Sequence, residues 1–257
     1  FNLIKRIALV IQYDGSAYCG WQNQKKFTTI QGTIEDKIAE LDPIRPVKVI
    51  AAGRTDAGVH ARNQVATFDT ESDVEIAQMA RGINYYLPED IVVKKVVRVD
   101  EKFDPRREAK SRIYKYSIFN SNFHSPLNRL YTHRVSGRLD REMMKEGAKL
   151  FLGTHDFSKF AGKVEKNKST VRTIFRSTWD CENEALVYEV EGNAFLPHQV
   201  RRMVGALVDL GRERLILKDI QDMLIGEGKA RSNSIPAKGL CLEKIIYEKE
   251  LDLAPVN

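Results

Sequence analysis

The chain has 257 residues, 42% of them hydrophobic and 30% charged, which suits one large soluble domain or two fused small ones with a sizeable core. Forty-one Lys and Arg against 35 Asp and Glu leave a formal charge of +6, an excess that permits a polyanionic partner without specifying one. Three scattered cysteines (Cys19, Cys181, Cys241) without a CxxC argue against a disulfide framework and for a reducing, cytoplasmic compartment. The five histidines have no ligand spacing, so no metal site is expected, and no apolar run is long enough for a membrane span. The apolar stretch Ile7 to Ile11 is too short for a signal-peptide core; the chain opens on Phe1, so a segment upstream stays open.

Ile4 to Tyr13 reads as a buried strand. Gln31 to Leu41 follows with Ile34, Ile38 and Leu41 at helical spacing, stopped by Pro43. Val47 to Ala52 and Gln64 to Phe68 read as the next two strands, Val74 to Tyr86 as a helix ended before Pro88, and Ile91 to Val99 as a fourth strand. The order is β-α-β-β-α-β, the ferredoxin-like arrangement.

The second half repeats that order. Arg112 to Phe119 alternates as a strand, with Tyr114, Tyr116 and Ile118 on one face. Asp140 caps a helix running to Leu152 and ended by Gly153. Arg172 to Cys181 and Ala185 to Glu191 make a hairpin turned at Glu182-Asn183-Glu184, Phe195 to Gly211 and Lys218 to Ile225 are helical, and Leu242 to Tyr247 closes the set. The expected fold is α/β (α+β): two ferredoxin-like halves, residues 1–103 and 104–257, sharing an extended, mainly antiparallel sheet with a central cleft.

Between the second and third strands lies Ala52-Gly53-Arg54-Thr55-Asp56-Ala57-Gly58-Val59-His60-Ala61. Glycines on both sides of one carboxylate let the backbone turn sharply and approach a ligand closely. An arginine beside that carboxylate favours its ionised form, as a charged nucleophile requires; the same residues also suit a plain surface turn with an ion pair. Basic residues gather at Arg106-Arg107, Lys110 to Lys115, Lys163 to Lys168 and Arg201-Arg202, either as solvated faces or as contacts to a polyanion.

The run GRTDAGVHA resembles the signature of the TruA family of tRNA pseudouridine synthases, with Asp56 on that family's catalytic aspartate. Further segments match in order: Tyr13 to Gln22 (YDGSAYCGWQ), Asn84 to Ile91 with its LPEDI, Ala109 to Tyr116 (AKSRIYKY), Leu152 to Phe157, Asn193 to Gly205 with its arginine helix, and Pro236 to Leu240. The resemblance spans residues 4 to about 248 and implies a homodimer that converts uridine to pseudouridine at tRNA positions 38, 39 and 40, without a cofactor.

By that resemblance Asp56 starts glycosidic-bond cleavage as nucleophile or base, and Arg201 pairs with it. Arg54 pairs with Asp56 too, or binds phosphate. Tyr114 lies against the target base and helps remove the C5 proton, Leu240 walls the base pocket, and His60 and Gln199 orient neighbours or RNA. Lys110, Arg112, Arg106 and Arg202 offset the cost of everting the uridine through phosphate contacts. The sequence departs from the commoner family pattern at Phe103-Asp104-Pro105-Arg106 and at Leu196-Pro197-His198-Gln199, which bears on substrate choice. Two other readings share the strand order or the carboxylate. A non-catalytic RNA-binding or tRNA-folding module lacks an RNP1-like segment here, and for a carboxylate-dependent nucleoside or glycoside hydrolase none of the matched segments supplies an obvious second carboxylic acid to partner Asp56.

Overall fold

The computed structural model describes residues 4–41, 46–182, 184–227, 230 and 232–248. Pro43 and Asn183, assigned above to a helix stop and a hairpin turn, lie outside the described residues. Among those residues are ten strands and five α-helices, a mixed α/β fold whose pairings below are antiparallel except one. The chain forms two compact units: residues up to Lys110 together with those from Leu242 onward, and Ser111–Cys241.

In the first unit β1 (Lys5–Tyr13), α1 (Ile30–Leu41), β2 (Ile50–Ala51), β3 (His60–Thr70), α2 (Ile76–Tyr86) and β4 (Ile91–Val99) follow one another as the sequence predicts. The strands lie in the order β4-β1-β3, with β2 also on β3, which is the ferredoxin-like order. β1 is buried on both faces over Ile7–Ile11, as an unbroken apolar run demands. Helix α1 turns Ile30, Ile34 and Ile38 inward and α2 turns Met79, Ala80 and Ile83 inward, each large side chain contributing about 1.5–3 kcal/mol. Leu41, expected in the same stripe, is exposed at the helix end. Thr29 caps α1 by accepting the Gly32 N–H. A late strand, β10 (Leu240–Tyr247), lies beside β3; there Asn63 Nδ2 donates to the Glu243 carbonyl (2.7 Å) and Arg62 pairs with the Glu243 carboxylate.

The second unit is built on β5 (Ala109–Asn120), β8 (Val171–Glu182) and β9 (Ala185–Gly192), in the order β5-β9-β8. Two short strands add to it: β6 (His133–Val135), parallel to β5, and β7 (Gly153–Asp156), antiparallel to β8. Neither was expected, because three or four residues carry no readable alternation. Helix α3 (Arg141–Lys149) begins at Asp140, whose carboxylate accepts the Met143 N–H as predicted. It packs on the sheet, where the Ser177 hydroxyl donates to the Ala148 carbonyl and receives the buried Tyr188 hydroxyl (2.6 Å). Helices α4 (Gln199–Gly211) and α5 (Leu217–Leu224) complete the unit, with Phe151, Phe157 and Phe160 in mutual ring contact in its core.

Candidate active-site residues

The loop between β2 and β3 carries Asp56, and several backbone groups around it are tied down within the first unit. The Asp56 carbonyl accepts the Val59 N–H (3.2 Å), closing a four-residue turn whose third residue, Gly58, sits at φ +77°. That left-handed value is what a type II turn requires, so the second glycine of the motif is structurally demanded. Gly53 is not: its φ is not positive, and a Cβ there would meet nothing within 4 Å. Asp56 itself is half-buried and Arg54 exposed.

The flanking positions are held from beneath. The Thr55 hydroxyl lies 2.8 Å from the Tyr13 hydroxyl, and the Thr55 carbonyl accepts the Trp21 N–H (3.0 Å). Gln64, on β3, donates through Nε2 to the Gly53 carbonyl (2.9 Å). On the other side of the turn the Gly58 N–H donates to the Tyr18 carbonyl. Nδ1 of buried His60 accepts the Gly15 N–H (3.1 Å) and lies 3.1 Å from an Asp14 carboxylate oxygen.

Two glycines of the YDGSAYCGW segment permit this approach. A Cβ on Gly15 would stand 2.1 Å from the Val59 carbonyl oxygen, and one on Gly20 (φ +87°) 2.8 Å from the Thr55 oxygen. The LPED segment closes the rear: the Asp90 carbonyl accepts the Asp14 N–H, and its carboxylate accepts the Tyr18 hydroxyl (2.6 Å). Burial together with this bond raises the Tyr18 phenol far above its usual range, so it stays a donor. The YDGSAYCGW segment is thus bonded to the loop that carries Asp56, and the LPED segment braces that segment in turn. The part played by Tyr13, Thr55 and Gln64 was missed from sequence; its only signal is polar side chains in otherwise apolar strand surroundings.

In the second unit, β5 turns both Tyr114 and Tyr116 inward. Alternation alone does not choose between them, but their environments differ. The Tyr116 hydroxyl donates to the Pro236 carbonyl (2.7 Å), and Gly239 packs on its ring. Burial holds that phenol far above its usual range. Tyr114 packs edge to face on Phe195, with ring centres 5.2 Å apart. Arg112, on the same face, is buried and donates from Nη1 to the Asn193 carbonyl (2.7 Å).

Helix α4 starts at Gln199, four residues after the predicted Phe195. Pro197 removes a donor, and His198 takes φ +62°, a left-handed conformation that no helical start continues through. Buried Gln199 folds back to accept the Leu196 N–H (2.8 Å) and fixes that entry. Arg201 is half-buried, and its Nε donates to the Ile235 carbonyl (2.7 Å). Arg202 donates to the Ser232 carbonyl, and the Ser232 hydroxyl returns a bond to the Arg202 carbonyl. Gly205 lets this strap lie close, since a Cβ there would stand 2.2 Å from the Asn233 oxygen. Leu240 is buried just after the 3₁₀ turn Ala237–Gly239. Arg106 is exposed, and Lys110 pairs with Glu248 at the surface. Among the described residues no group of three His, Cys, Asp or Glu could hold a metal, and no helix is long and apolar enough to cross a membrane.

A family model described as tRNA pseudouridine synthase matches residues 9–106 and 148–248, more than half of the chain. This chain belongs to the tRNA pseudouridine synthase family. The matched stretches take in Asp56, Arg201 and Leu240, while Tyr114 falls in the interval between them. The tRNA pseudouridine synthase A of Acetivibrio thermocellus is 40% identical over 245 residues, covering 95% of this chain and all of its own length. The proteins of the same name from Geotalea daltonii and Citrifermentans bemidjiense are 38% and 36% identical, covering 95% and 97% of the chain. The tRNA pseudouridine synthase family is one of isomerases, so this member is an enzyme and not an RNA-binding module that merely shares its strand order.

Proposed function

We propose that this tRNA pseudouridine synthase converts uridines 38, 39 and 40 of the anticodon stem-loop to pseudouridine, with Asp56 starting the cleavage of the glycosidic bond. What supports the reading is the family match across Asp56, together with the bonds that hold the loop on either side of it. The reaction breaks the N1–C1′ bond, rotates the base and forms C5–C1′. The proton lost from C5 is balanced by one gained at N1, so nothing is oxidised and no group is exchanged. Attack at C1′, attack at C6 and removal of the 2′ proton each begin with an ionised carboxylate.

In this reading Arg201, whose Nε donates to the Ile235 carbonyl, steadies the Asp56 charge. Tyr114 supplies the stacking face and receives the C5 proton late in the reaction, and Leu240 completes the apolar wall. Arg54, Arg106 and Lys110 are the exposed basic groups that contact phosphates, while His60, Arg112, Gln199 and Arg202 hold their surroundings in shape. The protein acts in the cytoplasm as a homodimer.

Incubation with unmodified tRNA transcripts, followed by chemical mapping of pseudouridine, tests the reading. The wild type yields product at 38, 39 and 40, and Asp56→Asn binds the same RNA without product. Product in the Asp56→Asn reaction, release of free uracil, or modification confined to another arm of the tRNA overturns it.

A further inference from the structure

We infer that Tyr13, Thr55 and Gln64 form a buried positioning device that sets the orientation of Asp56 and has no direct contact with RNA. The inference rests on the reading of Asp56 as the reacting group. All three side chains are buried, Gln64 completely. Burying a polar group costs stability unless it is bonded, and apolar groups of the same shape would pack there at less cost. The cost is visible: Gln64 Oε1 is buried with no hydrogen-bond partner. A residue serving packing alone would not leave that oxygen unpaired. What Gln64 gains is at its other end, where Nε2 holds the Gly53 carbonyl at 2.9 Å and reaches the Tyr13 oxygen at 3.5 Å.

The bond from Gln64 has a fixed direction. Reversing the amide would set Oε1 against the Gly53 carbonyl, two acceptors face to face, so the nitrogen points at the loop. An amide nitrogen only donates, so the Tyr13 oxygen accepts from it at 3.5 Å and shares a 2.8 Å hydrogen bond with the Thr55 hydroxyl, in which either oxygen can donate. The device therefore grips the loop at two points, the Gly53 carbonyl and the Thr55 side chain, the latter immediately before Asp56. The Trp21 N–H takes the Thr55 carbonyl, and the Val59 N–H takes the Asp56 carbonyl. With the backbone held on both sides, Asp56 keeps only its own side-chain torsions. A misplacement of about 1 Å at a reacting group costs on the order of 100-fold in rate.

The test compares Tyr13→Phe, Thr55→Val, their double variant and Thr55→Ser, with Asp56→Asn alongside. Single-turnover rates are measured at saturating tRNA transcript, with transcript affinity and thermal unfolding measured on the same preparations. Tyr13→Phe and Thr55→Val are each expected to lower the rate about 10- to 100-fold with affinity within about twofold. The double variant should be no slower than the slower single, because both remove one bond, and Thr55→Ser should stay within about threefold of wild type. Wild-type rates in both singles, effects that multiply in the double, or loss of cooperative unfolding in the singles would overturn the device. If Asp56→Asn remains active, the assignment of Asp56 itself fails. If Asp56→Asn is inactive while both singles run at the wild-type rate, only the positioning role fails.

Discussion

Replacing Gly15 by alanine probes the loop from the side opposite Thr55. The new Cβ would stand 2.1 Å from the Val59 carbonyl oxygen, with the carbonyl carbon at 2.7 Å and the nitrogen at 3.1 Å. All three are backbone atoms, so none can swing aside. Ordinary contact begins near 3.4 Å, so one strand of the pair must retreat by about 1.3 Å. Val59 is bonded through its N–H to the Asp56 carbonyl, and Gly15 through its own N–H to His60, so the displacement reaches the aspartate. Two bonds between the segments, Gly15 to His60 and Gly58 to Tyr18, are strained or lost, a cost of about 1–3 kcal/mol at roughly 0.5–1.5 each. The rate effect is larger, on the order of 100-fold for a shift of about 1 Å. Single-turnover conversion of a tRNA transcript and thermal unfolding measure the two quantities on one preparation. Gly53→Ala is the contrast: its Cβ meets nothing and its φ is ordinary, so it should stay within about threefold of wild type. A folded Gly15→Ala enzyme with wild-type turnover would refute the claim that the Gly15–Val59 approach places Asp56.

Tyr116→Phe leaves the Pro236 carbonyl without its donor and should cost about 1–3 kcal/mol in denaturant unfolding, a larger loss than any fall in tRNA affinity. Gly205→Ala should release the 232–235 strap from α4, because its Cβ would stand 2.2 Å from the Asn233 oxygen; protease cleavage within the strap should accelerate several-fold. His133 is held down at about 4, first by burial and then by Lys238, Arg212 and Arg134. Its folded value lies below the unfolded one of about 6.5, so its contribution to stability is complete above pH 6.5 and drains away as pH falls toward 4. Nitrogen-15 NMR of the imidazole should show a neutral ring at pH 6, and His133→Asn should flatten the unfolding free energy across that window.

The apolar periodicities of the first half carried most of its fold, with β4 and α2 falling where the apolar pattern and Pro88 put them. The strand β3 begins at His60 and not Gln64: Ala61 pairs with Tyr13 of β1, although the polar residues around it break the apolar pattern. The start of α4 was misplaced because His198 takes a left-handed conformation that no local preference announces. β6 and β7 are defined by partners distant in sequence, which a window of three residues cannot reveal. The same limit applies to the site. Asp56 stood out through its motif, but the difference between Tyr114 and Tyr116 lies in Pro236, 120 residues away. Likewise Gly15 looks like any turn glycine until Val59 is seen against it.

β10 belongs with the first unit although nearly the whole second unit is encoded before it, and Asn63 meets Glu243 across 180 residues of chain. On the ribosome, the half that carries Asp56 is therefore made early but finished late. Until the last strand emerges, one edge of β3 offers unpaired amides and carbonyls to any neighbouring nascent chain. A release of the polypeptide short of Leu240 would leave that edge open for good, so quality control by aggregation or proteolysis falls on the aspartate-bearing half.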